Sequence, residues 1–400
     1  MNMINVRRLT VMAFLGAGML PGISAQESPL QADTQNEAKL PAQWDLQSCI
    51  DYALEQNITI RKNRVTAEST QIDVKTAKAA LFPSLSFSTS QQVVNRPYQE
   101  SSSRVSGNEI ISSNSKTSYN GNYGLNASWT LYNGNKRLKT IKQEQLNNHV
   151  AELDVATSEN TIQESIAQVY IQILYAAESV RVNENTLQVS IAQRDRGEQL
   201  LNAGSIAKSD FAQLEAQVST DRYQLVTAQA TLQDYKLQLK QLLELDGENE
   251  MDVYLPNLSD ENVLAPLPTK KDVYVSALAI RPEIEASKLN VEASELGIDI
   301  AKSGYFPTIS LSAGIGTNHT SGSDFTFGEQ VKNGWNNSIG LSVSVPIFNN
   351  RQTKSAVQKA KLQRETSMLS LLDEQKALYK AIEGLWLDAN SAQQRYAAAN

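Results

Sequence analysis

The chain has 400 residues and a mass of 44.0 kDa, with 36 Lys plus Arg against 43 Asp plus Glu, a formal charge of −7 and a pI near 5.2. That balance argues against a broadly basic surface seeking nucleic-acid phosphates. One cysteine excludes a disulfide within the chain, two histidines leave a Cys/His zinc site short of ligands, and a mean hydropathy of −0.36 excludes a bundle of apolar membrane-spanning helices.

At the N-terminus, Arg7 and Arg8 precede the apolar stretch Leu9, Val11, Met12, Ala13, Phe14 and Leu15, then small residues to Ser24 and Ala25. This is the order of a secretory signal peptide, expected over residues 1–25, and its apolar part is too short for a mature bilayer span. A buried N-terminal helix is the alternative, but it would need an amphipathic polar face that this stretch lacks. Residues 26–43 are polar, carry Pro29 and Pro41, and read as a flexible leader. Cys49 lies well past the expected cut and reads as a packed core residue, not an acylated N-terminus.

Two copies of one pattern follow. Ala53-Leu54 matches Ala277-Leu278 at an offset of 224, which also aligns Ile60 with Ile284 and Phe82-Pro83 with Phe306-Pro307. The first copy spans 44–250. It begins with an amphipathic helix, about 45–80, that gives way at Phe82 and Pro83 to a period of two, because proline lacks a donor and disfavours a helical residue before it. Strands are predicted at about 83–96 and 119–133. In the second, Tyr119, Tyr123, Leu125, Ala127, Trp129 and Leu131 share one face, while Asn120, Asn122, Asn126, Ser128 and Thr130 share the other. Such faces suit a membrane barrel with lipid outside and water inside, though a soluble sandwich uses the same alternation.

From about 135 to 195 the pattern is helical and free of proline and glycine. Ile162, Ile166, Val169, Ile173, Ala176, Val180 and Leu187 follow spacings of mainly four and three, a coiled-coil seam. A turn at Leu200, Leu201, Gly204 and Ser205 leads past Ile206 and Asp210 into a returning helix, completing a hairpin over about 135–245 whose longer arm reaches ~90 Å. After a linker at 251–271, the second copy occupies 272–400. It has a helix at about 272–304, strands at about 307–318 and 337–348, and a long helix from about Arg351. It reads as an incomplete hairpin whose tip would lie beyond Asn400. Trp129, Tyr132, Trp335 and Phe348, near strand ends, fit either interfacial belt aromatics or ordinary strand packing.

The export signal, the duplicated helix, strand, strand and hairpin order, the Phe-Pro junctions, and the run Val345-Pro346-Ile347-Phe348-Asn349-Asn350-Arg351 leading into a helix resemble the TolC family of outer-membrane efflux proteins. The first copy has the matching Trp129-Thr130-Leu131-Tyr132-Asn133-Gly134-Asn135, and the resemblance covers about 44–400. It implies a mainly α protein with membrane β structure. Long antiparallel α-helical hairpins would form a periplasmic α-barrel, and four strands per protomer would join a trimeric twelve-stranded outer-membrane β-barrel.

The implied role is a passive exit duct of a tripartite efflux pump or type I secretion system in a Gram-negative outer membrane. The partners implied are two further copies in a homotrimer, a periplasmic adaptor (membrane fusion) protein, an inner-membrane pump or ABC exporter, and outer-membrane lipid; nucleic acid is not among them. The adaptor-docking tip of the family maps onto Leu200, Leu201, Gly204, Ser205, Ile206 and Asp210, positions whose plainer reading is a turn with its caps.

Two other functional classes compete. A coiled-coil envelope spacer or adhesion protein would share the helices but conduct nothing. An envelope hydrolase would need an assembled nucleophile and base, yet His149 sits in the long helix, His319 reads as an exposed loop residue, and no nucleophile elbow is present. No glycine-rich phosphate loop or calcium-loop spacing occurs, so neither cofactor nor metal is expected.

Overall fold

The computed structural model describes residues 43–98, 116–246, 251–256, 263–321, 323 and 325–399, with the backbone of 102–106 and 109–113. The predicted signal peptide and all but the last residue of the predicted leader lie outside the described residues. In chain order the elements are α1 (Leu46–Gln56), α2 (Ile58–Ala79), β1 (Ser84–Asn95), β2 (Ser102–Ser106), β3 (Glu109–Ser113), β4 (Thr117–Asn133), α3 (Lys136–Asn202) and α4 (Lys208–Leu242). The second copy supplies α5 (Lys270–Ile280), α6 (Pro282–Lys302), β5 (Thr308–Thr320), α7 (Phe327–Asn333), β6 (Asn336–Ser344) and α8 (Gln352–Ala399).

The opening helix of each copy, read from sequence as continuous, is two helices. The breaks fall at Asn57 and Arg281, which are themselves related by the offset of 224. Asn57 is extended at φ −60°, ψ 125°; its backbone N–H closes α1 on Ala53 O at 2.9 Å, and its side-chain oxygen accepts from Thr59 N at 2.9 Å to start α2. Arg281 breaks the second copy because Pro282 follows it and occupies the first position of α6. Immediately after each break the matched residues Ile60 and Ile284 are fully buried.

β1, β4, β5 and β6 form one antiparallel sheet in that order, and β2 and β3 form a separate hairpin. The helices pack side by side in the corresponding order α2, α3, α6, α8. The orders agree because each strand of the sheet is joined directly to one of these helices: α2 to β1, β4 to α3, α6 to β5 and β6 to α8. Ion pairs cross successive helix seams, Arg64 to Glu159 at 2.8 Å, Lys139 to Asp299 at 3.4 Å and Arg364 to Glu295 at 2.6 Å. These groups are substantially exposed, so such pairs contribute at most about 1 kcal/mol each and serve mainly to align the helices.

The sequence prediction of two strands per copy holds for the sheet, with three differences. The first inter-strand connection contains β2 and β3, and the second contains α7, capped by Thr326, which accepts from Glu329 N at 3.4 Å. β6 ends at Ser344 and not near 348, since Pro346 has no N–H for the ladder. His319, expected in a loop, is a paired residue of β5 opposite Gly121.

α3 is 67 residues long and therefore ~100 Å, against 35 residues and ~53 Å for α4. Their shared core gathers Ile166, Tyr170 and Ile173 from α3, Leu239 and Leu243 at the end of α4, and Cys49 and Ala53 from α1. Trp44, Met251 and Val253 complete it, with the predicted linker held by a parallel bridge between Trp44 and Val253. Burial pushes the Cys49 thiol up to about 12, with a further upward contribution from the Asp45 charge. A maleimide at pH 8 is therefore expected to leave the native protein unlabelled and to label Cys49 fully after unfolding; rapid native labelling would place Cys49 outside the core.

Candidate functional site

The four-stranded sheet contains no Asp, Glu, Lys or Arg in any of its strands. Its register sorts the remaining side chains into two unlike faces. Leu85, Phe87, Leu125, Ala127, Leu311, Ala313, Ile315, Ile339 and Leu341 fall on one, because Leu85 pairs with Ala127, Phe87 with Leu125, Leu125 with Ile315 and Ala313 with Ile339. Leu85, Phe87, Ile339 and Leu341 are between 64% and 83% exposed, so this apolar face has no cover among the described residues. Serine, asparagine and glycine dominate the opposite face. There Ser84 and Ser128 hydroxyls meet at 2.9 Å, Asn122 donates to Ser90 at 3.3 Å and Asn126 to Ser88 at 3.3 Å.

Aromatic rings gather at both ends of the apolar face. At the end away from the long helices, the His319 ring lies 5.2 Å from Tyr119 and 5.1 Å from Phe327 of α7, and 6.4 Å from Tyr123. Gly121 makes room for it, since a Cβ there would come within 2.5 Å of His319 Nδ1. Trp335, 57% exposed, precedes β6 at the same end. Toward the helices lie Trp129, Tyr132 and the exposed Phe82, Phe306 and Phe348. Trp335 and Phe348 thus flank β6 (Asn336–Ser344) on its opposite sides, toward opposite ends of the sheet.

The strand-to-helix junctions interlock. Phe82 and Pro83 separate α2 from β1, and Phe306 and Pro307 separate α6 from β5. Before α3, Gly134 and Asn135 both take positive φ, 66° and 60°; before α8, Asn350 and Arg351 do the same at 49° and 63°. This left-handed pair turns the chain from strand into helix, and Gly134 cannot gain a side chain without meeting Phe306 Cβ at 2.9 Å. Arg137 of α3 donates to Ala80 O at 2.8 Å and to Thr130 O, while Trp129 Nε1 donates to Leu81 O at 2.7 Å. Sequence reasoning singled out Trp129 but missed Arg137, whose partners are backbone carbonyls and leave no trace in residue type.

At the α3–α4 turn, Leu200, Gly204, Ser205 and Asp210 are exposed and Leu201 and Ile206 are half-buried. Gly204 has φ 71°; its N–H bonds Leu201 O at 2.9 Å and Ser205 N–H bonds Leu200 O at 2.8 Å, the left-handed closure of a helix C-terminus. Asp210 accepts from Ala207 N at 3.4 Å in the first turn of α4. Just behind the turn, Gly197 is buried and lets Leu214 approach so closely that a Cβ would lie 2.4 Å from its Cδ1. Between α3, α6 and α8 runs a polar groove of about 400 Å³, where Gln143 donates to Ala293 O at 2.9 Å and Ser294 and Ser367 hydroxyls meet at 2.8 Å. No group of three or more His, Cys, Asp or Glu able to hold a metal occurs among the described residues.

Comparison with known proteins gives a consistent set of likenesses. The family described as "Outer membrane efflux protein" matches residues 49–244 and 273–400. The chain is 25% identical over 242 residues to the outer membrane efflux protein BepC of Brucella suis, covering 60% of this chain and 50% of that one. It is 27% identical over 224 residues to the outer membrane protein TolC of Escherichia coli, covering 53% of this chain and 43% of that one. The alignments thus span about half the length of these two curated relatives. Among solved structures, CusC superposes with a TM-score of 0.71 at 21% identity, covering 88% of this chain and 79% of that one. The Campylobacter jejuni CmeC outer membrane channel gives 0.67 at 18%, covering 88% and 74%.

The turn geometry makes one local expectation. Gly204→Ala forces a Cβ into the left-handed region and is expected to cost about 1 kcal/mol. Amide hydrogen exchange at Gly204 and Ser205 would then accelerate while the α3–α4 core stays protected; unchanged exchange would mean that the turn does not depend on glycine.

Proposed function

As the chain belongs to the outer membrane efflux protein family, and so is a conduit rather than an enzyme, we propose that three copies close their sheets into one twelve-stranded outer-membrane barrel continued by a periplasmic helical tunnel. The observation that carries this reading is the charge-free sheet, apolar on one face and hydroxyl- and amide-lined on the other. Hydrocarbon accepts the first face and water the second. From Tyr123 to Tyr132 the strand climbs nine residues, ~30 Å at 3.3 Å each, or ~23 Å at the strand tilt usual for such barrels. That height agrees with the roughly 25 Å apolar band of outer-membrane barrels, with Trp129, Tyr132 and Phe348 at the periplasmic belt and Trp335 at the outer one.

The protein serves as a passive exit duct in a tripartite efflux or secretion system. An adaptor meets it at the turn formed by Leu200, Leu201, Gly204, Ser205, Ile206 and Asp210, whose exposed backbone bend and Asp210 carboxylate offer the contact. An inner-membrane transporter supplies the energy. Relatives named for cation efflux and for toxin and drug export share family features with this chain. A barrel wall of neutral hydroxyls and amides imposes little charge selection, so the choice of cargo falls to the transporter.

Purified oligomer in planar bilayers is expected to give discrete conductance steps with weak ion selectivity. Asn126→Asp, which adds a carboxylate to the polar face of every copy, should move the reversal potential in a KCl gradient toward that of potassium. A folded oligomer that never inserts would sink the duct and favour an envelope spacer. An unmoved reversal potential in a conducting variant would place the polar face away from the ion path.

A further inference from the structure

Where the apolar face of the sheet ends against α3, Leu81, Trp129, Leu131, Tyr132, Arg137 and Leu138 are among the residues that enclose a cavity of about 260 Å³. That is room on the order of eight waters, enough for a phosphodiester and the start of its glycerol. Arg137 is half-buried. Its two hydrogen bonds go to the neutral carbonyls of Ala80 and Thr130, and it has no carboxylate in ion-pair range among the described residues. The cavity lining contains no Asp or Glu. A guanidinium has five N–H donors in a fixed fork, so three remain for a further acceptor while the two carbonyls hold the group in place.

We propose that this cavity binds the headgroup phosphate of a phospholipid in the periplasmic leaflet. The charge complement is an uncompensated guanidinium, which suits a phosphate oxygen pair better than a neutral or cationic ligand. The walls separate a lipid from a free anion. Leu81, Leu131 and Leu138 with the rings of Trp129 and Tyr132 gain nothing from inorganic phosphate but cover glycerol and the first acyl carbons. The inference rests on the membrane reading of the sheet, which puts Trp129 and Tyr132 at headgroup depth. A lipid seated there touches a residue that ties α3 to both the α2–β1 link and β4, so it would fix the depth of the junction in the membrane.

The test is native mass spectrometry of the detergent-released oligomer titrated with dioleoylphosphatidylglycerol, with dioleoylglycerol and excess inorganic phosphate as separate arms. Arg137→Gln retains a donor for a carbonyl and removes the charge. Leu138→Glu sets a carboxylate at the exposed rim and leaves both Arg137 bonds intact. The wild type is expected to retain phosphatidylglycerol, each variant to retain it about tenfold less, the equivalent of one charge-assisted hydrogen bond, and phosphate to displace none. Equal retention by all three proteins, equal retention of dioleoylglycerol, or displacement by phosphate would overturn the site. Conductance of the same preparations separates the two claims: conducting protein with unaltered lipid retention removes this site alone, whereas wild type that never inserts removes the membrane reading and the site with it.

Discussion

The unpaired backbone along β1 and β6 is the constraint to which the rest of the molecule answers. Among the described residues the sheet stops at these two strands, leaving a row of N–H and C=O groups on each edge. An exposed apolar face beside such edges invites aggregation in water, and open edges in hydrocarbon cost several kcal/mol per unsatisfied group. Closure by further copies removes both penalties together. An even number of antiparallel strands per chain permits it, since β6 of one copy then runs antiparallel to β1 of the next. The proposed trimer is thus the means by which a sheet of this kind satisfies its backbone.

Closure also demands that the helices follow the strands. The helix order repeats the strand order, so closing the sheets of several copies into a ring would bring their helices into a ring as well. The cost is concentrated at the junctions, where the chain turns abruptly between two periods. Left-handed residue pairs precede α3 and α8, and Asn135, Asn350 and Arg351 hold that conformation without glycine's freedom. Neighbouring bonds fix it: Thr353, buried at the start of α8, donates to Gly304 O at 3.3 Å, and Gly134 packs against Phe306. The first copy is therefore keyed into the second at the level where sheet gives way to helices.

Much of this was legible because two-faced strands and long helices carry different periodicities. The alternation of Tyr123, Leu125, Ala127 and Trp129 with asparagine and serine identified both faces of β4, and the 224-residue offset paired Ile60 with Ile284, each fully buried. What escaped was local. Asn57, a favoured N-cap type, breaks an apolar pattern that continues on both sides of it, so its cue is outweighed, whereas Pro282 offered a plainer one. Thr326 and Glu329 form a capping box inside a serine- and glycine-rich connection, and that signal for α7 was present but swamped. His319 follows Asn318 and precedes Thr320, a polar run that reads as loop until Gly121 across the ladder is seen to accommodate the ring. Arg137 was invisible for a different reason: its role depends on two carbonyls brought together only by the fold.

How the sheet edges are satisfied decides whether three copies close one barrel. Two strands lie between β1 and β6 of one chain, so those edges are three spacings, ~14 Å, apart and beyond the reach of a disulfide. Cys49, the one native cysteine, is buried and does not interfere. Oxidative cross-linking in isolated outer membranes, with Ser88→Cys on β1 combined in turn with Ser338→Cys, Gly340→Cys and Ser342→Cys on β6, therefore reads intermolecular pairing directly. The predicted result is a ladder ending at a covalent trimer for the combination in register, with single variants giving none. Absence of any cross-link across the set, or a ladder ending at dimer, would contradict closure by three copies.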